Sequence, residues 1–379
     1  MPNLERDTKL MSNIKYCAFL KFKRNEVLAL NDLTDELKEK ISVFFDMPNE
    51  LPFKSRQDSK DEFSPQELLD FKNQKFLKKI EEQKKYFSDK INWLNEFYFD
   101  NYDIDPSVSI DNNTYNYQTI IDNFASLGMI PVCGVDDRVP QHLECIINSK
   151  NIGKFKTDKI AIRITESVFE DYEYIEDEFT ELIETLDANF SKIILIFDLR
   201  CIKNEQSTLS KLINFLNKIN LLQFHEIIIS GSTIPSSIKD LLNTSTIINI
   251  DRKEIFVFTN IFDKVPNICL GDYTCVSPDT NFLDLYIEDI ASRMTGKIFY
   301  IYQNKVCIAR SSKLRGNKAA FKPLLDYIIA QPFFRGEHYS FGDKYIFDKQ
   351  PKGTEISAAS IIRPNVNLHI SYMLKDFSI

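Results

Sequence analysis

The chain has 379 residues, of which 43% are hydrophobic and 27% are charged, and this composition supplies enough apolar surface for one large core. Its formal net charge of -8 excludes nucleic-acid binding that depends on general basicity. No apolar stretch is long enough to span a membrane and the first residues lack an apolar signal core, so we expect a cytoplasmic protein.

Eight short apolar runs, each ending in a charged or small residue, alternate with segments of helical apolar spacing. Strands that are nearly all apolar and alternate with helices predict a parallel sheet that is covered on its outer face. Eight such strands fit a closed (β/α)8 barrel, with an open doubly wound sheet as the alternative. The runs are residues 16–23, 41–46, 97–100, 129–133, 160–163, 193–198, 227–230 and 268–271.

A long helix is predicted within the second unit, as an insertion over residues 60–96. Ser64 is the predicted N-cap, Pro65 the first helical residue and Glu67 the reciprocal capping partner. Its lysines alternate with glutamates, which favours a solvated face over a nucleic-acid patch. We expect its apolar stripe to lie in the protein core. Alternatively, the helix over residues 64–97 is a surface that binds a protein partner. The stripe consists of Leu69, Phe76, Leu77, Ile80, Phe87, Ile91 and Leu94.

The predicted organisation is a tail over residues 1–14, a barrel over residues 15–296 and an α+β extension over residues 297–379. Within the extension, the sequence predicts a β-hairpin, a helix around residues 321–329 and a last strand around residues 366–373. The extension is too small for a convincing independent domain, so we expect it to pack on the barrel.

The seven cysteines are scattered along the chain, mostly in apolar runs, and no two have CxxC spacing. This pattern is typical of reduced thiols in a protein core and predicts no disulfide framework. With four histidines and no HExxH motif, the sequence predicts no metal site. Neither a Walker loop nor a GxGxxG motif is present, and the sequence does not identify a cofactor.

Active sites of such barrels form on the loops after the carboxyl ends of the strands, which converge on one mouth. Asp198 is therefore a candidate catalytic residue and Arg163 a candidate ligand contact, because each closes an apolar run. A buried structural ion pair would explain the same pattern. Cations at other strand ends, Lys21, Lys23 and Arg200, are further candidate contacts for a charged ligand. Acidic residues at strand ends also include Asp46, Asp100, Asp136, Asp137 and Asp272.

The segment after the seventh run, residues 230–235, combines small and hydroxyl residues with a predicted helix start at Pro235. Backbone N–H groups at a helix N-terminus bind anions, and barrels often hold phosphate at the loops after strands seven and eight. This arrangement predicts that Ser230 and Ser232 contact a phosphate group. An ordinary capping loop would have the same composition.

Six short segments follow one another along nearly the whole chain. They are residues 16–30 (YCAFLKFKRNEVLAL), 45–48 (FDMP), 271–274 (GDYT), 305–310 (KVCIAR), 340–343 (SFGD) and 367–370 (NLHI). In this order they resemble the beta protein family of bacteria and phages. The resemblance implies a barrel-like α/β fold and a setting among mobile-element and anti-phage defence genes, and it supplies no mechanism. By position, the polar residues that match the family's recurring ones are Lys21, Lys23, Glu26, Asp272 and Arg310.

The resemblance therefore adds Glu26 and Asp272 to the candidate catalytic residues, and Arg310 to the candidate ligand contacts. Two functions remain open, both within a bacterial or phage-encoded defence or counter-defence module. The first is a hydrolase acting on a phosphate-bearing ligand at the barrel mouth, with Asp198 or Asp272 as general base or as a carboxylate that binds a metal ion. The second is a non-catalytic recognition protein that binds a phage component or a partner protein.

Overall fold

Eight parallel strands close into a barrel, in the order β1-β2-β3-β4-β5-β6-β7-β9. Each predicted run is one of these strands, which confirms the (β/α)8 fold and excludes the open sheet. The barrel strands are β1 (Lys15–Lys21), β2 (Ile41–Asp46), β3 (Phe97–Asp100), β4 (Met129–Cys133), β5 (Lys159–Thr165), β6 (Lys192–Cys201), β7 (Glu226–Ser232) and β9 (Ile268–Asp272). The structure is a computed structural model that describes residues 14–49, 64–109, 114–170, 172–279 and 293–379.

Helices connect these strands around the outside of the barrel, as right-handed crossovers between parallel strands require. In the described ranges they are α1 (Arg24–Asn31) and α2 (Asp35–Lys40) after β1, α3 (Pro65–Tyr86) after β2, α4 (Asn116–Phe124) after β3, α5 (Pro140–Asn151) after β4, α6 (Glu166–Phe169) and α7 (Tyr172–Asp187) after β5, α8 (Glu205–Leu216) after β6 and α9 (Lys253–Ile261) before β9.

The long helix α3 begins with the predicted capping box. The Ser64 hydroxyl accepts the Glu67 backbone N–H at 3.2 Å, and the Glu67 carboxylate accepts the Ser64 backbone N–H at 3.0 Å. The helix lies between β2 and β3, so it serves as the crossover of that unit; residues 60–63 of the predicted insertion lie outside the described residues. Its apolar stripe is core, because five members are buried and Leu69 and Leu77 are half-buried. The buried members are Phe76, Ile80, Phe87, Ile91 and Leu94.

The barrel interior is apolar over most of its depth and polar at its carboxyl end. Alternate residues of each strand face inward, and the strand register places Lys21 beside Asp46 and Asp46 beside Asp100. Across the barrel, Asp198 lies beside Ser230. The strand ends therefore build one polar layer above an apolar floor. The floor includes Cys17, Phe19, Phe44, Tyr98, Ile130, Val132, Ala161, Ile194, Ile196, Ile228 and Cys269.

The C-terminal extension is a three-stranded sheet with helices. The predicted hairpin is confirmed as β10 (Thr295–Tyr302) and β11 (Lys305–Lys313), and β8 (Thr246–Asp251) pairs with β11. The half-exposed β8 was not predicted, because it lacks a continuous apolar run. Since β8 precedes β9, the small sheet takes strands from both sides of the predicted boundary at residue 296. The helices of the extension are α10 (Lys322–Ile329), α11 (Phe341–Lys349) and α12 (Ile362–Lys375).

The predicted last strand over residues 366–373 is wrong, because this segment lies within α12. Its alternation of apolar and polar residues resembles a strand, yet the polar residues are buried as well. The Asn367 amide donates to the Ala29 carbonyl at 3.0 Å, and His369 Nε2 lies 2.9 Å from the Asp272 carboxylate. The helix packs against α1, α11 and β10. It therefore has no solvent-exposed polar face, and its sequence lacks the helical spacing of apolar and polar residues that such a face produces.

Candidate functional site

The carboxyl end of the barrel is organised around Arg163, which β5 carries inward and which is fully buried. Its guanidinium carbon lies 5.1 Å from the ring centroid of Phe44. All of its nitrogen atoms donate to acidic or phenolic oxygens. Nε and Nη2 donate to Asp198 at 3.0 and 2.6 Å, and Nη1 donates to both Asp46 and Asp100 at 2.7 Å. Nη2 also donates to the Tyr273 hydroxyl at 3.0 Å. These contacts use all five guanidinium N–H groups, so Arg163 holds the mouth together and keeps no donor for a ligand.

We call Arg163 with Asp46, Asp100, Asp198 and Tyr273 the Arg163 cluster. More cations surround it, because Lys21 lies 3.0 Å from Asp46 and 2.6 Å from Asp103. Arg138 lies 2.8 Å from Asp100, and Arg200 lies 3.3 Å from Asp103 and 3.1 Å from Asp279. Burial alone would raise the pKa of Asp46, but Arg163 and Lys21 hold that pKa below the usual carboxyl range. Asp46 is thus an anionic partner of fixed cations.

Tyr102 lies over this network. Its ring centroid is 4.7 Å from the guanidinium carbons of both Arg138 and Arg163, and 5.2 Å from that of Arg200. Guanidinium groups at this distance from an aromatic face are attracted by its quadrupole. Tyr102 therefore joins three cations that like-charge repulsion would otherwise separate.

Three of the seven non-glycine residues with positive φ in the described ranges lie at the same end of the barrel. Asp136, Arg200 and Thr274 have positive φ angles of 55°, 49° and 54°, and they follow or end β4, β6 and β9. This left-handed conformation is uncommon for residues with a Cβ, especially a β-branched one, and each such residue costs roughly 1–3 kcal/mol. Strain of this kind persists where the surroundings over-determine it, and it is typical of functional sites.

An open pocket of about 470 Å³ lies beside the cluster, between the ends of β5 and β6. We call it the β5–β6 pocket; its lining includes Tyr102, Thr165, Arg200, Lys203, Ser207 and Lys211. The N-terminus of α8 forms one wall, where the Asn204 side chain accepts the backbone N–H groups of Gln206 and Ser207. Nη1 of Arg200 is buried and has no hydrogen-bond partner among the described residues. The lining also holds Glu166, Glu170 and Asp279, and Lys211 is paired with Glu166 at 3.2 Å. The positive side of the pocket is therefore the wall of Arg200, Lys203 and the N-terminus of α8, and that wall favours an anionic group.

Asp272 faces away from the mouth. The inward position of β9 at this level is Gly271, so the Asp272 carboxylate points outward, toward α12. It accepts hydrogen bonds from the Tyr16 hydroxyl at 2.8 Å and from Arg252 Nη2 at 2.6 Å. His369 Nε2 lies 2.9 Å from the same carboxylate. Burial would raise the pKa of Asp272, but His369 and Arg252 hold that pKa below the usual range. We call Asp272 with Tyr16, Arg252, Glu254 and His369 the Asp272 cluster; it joins the barrel to the extension.

The loop after β7 does not begin a helix at Pro235, so this prediction was wrong. The Ser232 hydroxyl accepts the Ile234 backbone N–H at 3.0 Å, which turns the chain locally. The Thr233 hydroxyl accepts the Lys253 backbone N–H at 2.7 Å and donates to Glu254 at 2.6 Å, which ties the loop to the start of α9. Ser230 is fully buried, and its hydroxyl has no partner within the described part of the chain.

The remaining sequence candidates lie at the edge of the mouth or away from it. Lys23 is half-buried at the start of α1. Glu26 is buried on α1, its carboxylate accepts the Lys21 backbone N–H at 2.5 Å, and burial raises its pKa to about 7. Arg310 lies on β11, where Nη1 donates to the Leu242 carbonyl at 2.6 Å. The structure therefore brings Lys21, Arg163, Asp198 and Arg200 together, and places Asp272 and Arg310 elsewhere.

Sequence reasoning missed Tyr102, Asp103, Arg138 and Tyr273. Tyr273 had a usable signal, since it follows Gly271 by two residues and must share its inward face. The other three lie within a few residues of a strand end, in loops with no periodic pattern. A search of every polar residue just beyond each strand would have found them.

Within the described ranges, no group of three or more His, Cys, Asp or Glu side chains is arranged to hold a metal ion. None of the helices in those same ranges is both long enough and apolar enough to cross a membrane. All seven cysteines are unpaired thiols.

The sequence model of a family described as Beta protein matches residues 16–375. This span includes the barrel, both clusters and the extension. Neither a curated protein nor a solved structure matches the chain.

Proposed function

Since the chain belongs to the beta protein family, we propose that it serves a bacterial or phage-encoded defence or counter-defence module by binding a phosphate-bearing small molecule at the barrel mouth. The module is suggested by the family resemblance, and the ligand class by the β5–β6 pocket. The unpaired thiols support a cytoplasmic location as part of this proposal, because reduced cysteines are typical of that compartment.

The observation that carries the proposal is the buried, unpartnered Nη1 of Arg200, a residue that lines the β5–β6 pocket. A buried donor without an acceptor costs free energy, and a phosphate oxygen is a strong acceptor for guanidinium. Lys203 and the N-terminus of α8 add positive charge to the same pocket, whereas Lys211 is paired with Glu166. A volume of about 470 Å³ lies within the range of small-molecule sites.

The geometry supports recognition better than hydrolysis at Asp198. A general base needs a free lone pair and a pKa near the working pH. Oδ2 of Asp198 already accepts Arg163 and the Tyr273 hydroxyl, and Oδ1 accepts the Arg200 backbone N–H at 3.0 Å. A protein partner at residues 64–97 would meet the charged outer face of α3, because the apolar stripe is buried in the core.

Isothermal titration calorimetry with inorganic phosphate and nucleoside monophosphates tests the proposal. We expect the chain to bind a phosphate-bearing compound, and Arg200→Gln to weaken that binding about tenfold or more, since one charge-assisted contact is lost. Arg315→Gln is the matched control, because Arg315 is an exposed arginine outside the pocket. Equal binding by both variants would refute the Arg200 assignment, and absence of binding by the unaltered chain would refute the proposal.

The same samples distinguish recognition from hydrolysis. Release of phosphate by the unaltered chain, abolished in Asp198→Asn, would establish a hydrolase instead. For the defence role, phage plaque counts on cells that carry the gene should change with the unaltered chain and with Arg315→Gln, and return to the level of empty cells with Arg200→Gln. Identical counts for all strains would contradict that role.

A further inference from the structure

A second set of unpartnered atoms lies at the mouth, directly after β4. Both carboxylate oxygens of Asp137 and Nε of Arg138 are buried and have no hydrogen-bond partner among the described residues. Arg138 Nε lies 3.9 Å from Asp137 Oδ1, too far for a hydrogen bond. Buried polar atoms are nearly always paired, so two neighbouring acceptors beside one donor indicate where a ligand makes its contacts.

The chain holds this set in place. A Cβ atom at Gly134 would lie 1.9 Å from Asp137 Oδ1, so only glycine leaves room for the carboxylate to fold back over the end of β4. Asp136, in the left-handed conformation with a φ of 55°, turns the chain between the two residues. Arg138 is fixed by its 2.8 Å contact with Asp100 and by stacking on Tyr102.

The polarity of these atoms selects a ligand. Two adjacent acceptors and one donor require a molecular edge with two neighbouring donors and one acceptor. The Watson–Crick edge of guanine has this order, with N1–H, the N2 amino group and O6, whereas adenine has neither the second donor nor the carbonyl. A carboxylate accepts both guanine donors at once, and an arginine N–H is a suitable partner for O6.

Building on the phosphate site proposed above, we infer that the ligand is a guanine nucleotide. Asp137 accepts hydrogen bonds from N1–H and the N2 amino group, Arg138 donates to O6, and Arg200 contacts the phosphate. The ring centroid of Tyr102 lies 4.7 Å from the guanidinium carbon of Arg138 and 5.2 Å from that of Arg200. The base end and the phosphate end of the site therefore both adjoin Tyr102.

Calorimetry with the full chain and four probes tests the inference: GMP, AMP, XMP and ribose 5-phosphate. The unaltered chain should bind GMP about tenfold or more tighter than AMP or XMP, because a bidentate base contact discriminates by that amount. In Asp137→Asn the amide replaces one acceptor with a donor, which suits the O2 of xanthine. This variant should therefore prefer XMP over GMP, with ribose 5-phosphate binding unchanged.

Asp136→Asn is the matched control, because Asp136 is the exposed neighbour and asparagine tolerates the left-handed conformation. It should keep the preference for GMP. Equal affinity of the unaltered chain for GMP, AMP and ribose 5-phosphate would overturn the guanine assignment and leave the phosphate site standing; water alone would then bridge Asp137 and Arg138. No binding of any probe would overturn both. A uniform loss in Asp137→Asn, without a gain for XMP, would assign Asp137 a structural role only.

Discussion

The Arg163 cluster and the Asp272 cluster are built from the same kinds of residues at the same end of the same barrel, yet they serve different parts of the molecule. In the first, one arginine faces three aspartates and points into the barrel. In the second, one aspartate accepts a tyrosine and an arginine, contacts a histidine and points out of the barrel. A side chain on the inward face of a barrel strand stabilises the barrel itself, and one on the outward face stabilises the contact with the C-terminal extension.

The two clusters also differ in what they connect. The Arg163 cluster joins side chains from β2, β3, β5 and β6 with Tyr273 just beyond β9, so it fastens the barrel to itself. The Asp272 cluster joins β1, β9, the start of α9 and α12, so it fastens the barrel to the extension. Loss of the first should therefore affect the whole fold, and loss of the second should affect chiefly the junction.

Arg163→Ala should lower the free energy of unfolding more than any substitution in the Asp272 cluster. It leaves three buried carboxylates without their common cation, and removal of one partner from a single buried pair already costs about 3–5 kcal/mol. We expect the free energy of unfolding, measured by urea denaturation, to fall by about 4 kcal/mol or more, or the chain not to fold. Arg315→Ala, an exposed control, should change it by about 0.5 kcal/mol or less. A loss below about 1 kcal/mol in Arg163→Ala would show that the aspartates do not depend on Arg163.

The sequence predicted the barrel because buried parallel strands leave the strongest local signal, a short run of apolar residues. It did not separate Asp198 from Asp272, because closing an apolar run does not state which face a residue occupies. The alternation within β9 contains that answer: Cys269 and Gly271 face inward, and Asp272 must face outward. Once the inward face of β9 is known, the same rule removes Asp272 from the candidates for the mouth.

Other parts of the site could not be read from local pattern. Tyr102 and Arg138 lie in loops, and only the closure of the barrel brings them over Arg163. In α12, residues 366–373 alternate like a strand, but contacts far away in the chain decide their conformation. His369 is 97 residues from its partner Asp272, and Asn367 is 338 residues from its partner Ala29. Tertiary hydrogen bonds of this kind override a short periodic pattern.

Asp272→Asn weakens the second cluster and should have a smaller effect than Arg163→Ala. Arg252 keeps Glu254 as a partner at 2.8 Å, so its buried guanidinium is not left alone. We expect a loss of about 2–3 kcal/mol, with faster hydrogen exchange first in α12. Asp251→Asn is the matched control, because Asp251 is exposed and adjacent to Arg252. Uniformly faster exchange across the barrel, with α12 no worse than β5, would contradict the assignment of this cluster to the junction.

The pH dependence of the same variant sharpens this test. The folded pKa of Asp272 lies below its unfolded value, because His369 and Arg252 outweigh the effect of burial. The stabilisation by the carboxylate is therefore complete above the unfolded pKa of about 4 and decreases as the pH falls further. The difference between the unaltered chain and Asp272→Asn should shrink below about pH 4. A difference that grows on acidification would mean that Asp272 is not the anionic member of the cluster.

Glu26→Gln should have the smallest effect and the opposite sign. Glu26 accepts the backbone N–H of Lys21 at the mouth, while its helix α1 packs on α12. Burial raises its folded pKa to about 7, so the folded chain must bury a charge above that pH, and stability falls as the pH rises from about 4 to about 7. Glu26→Gln removes this penalty and should stabilise the chain by about 1–3 kcal/mol at pH 8, with little effect near pH 4.

Urea denaturation of Glu26→Gln across this pH range is the measurement, with the exposed Glu178→Gln as the control. A gain that is independent of pH would mean that the glutamine packs better and that Glu26 is already neutral or solvated. A gain that appears only at high pH would locate a buried charge between the mouth and the junction.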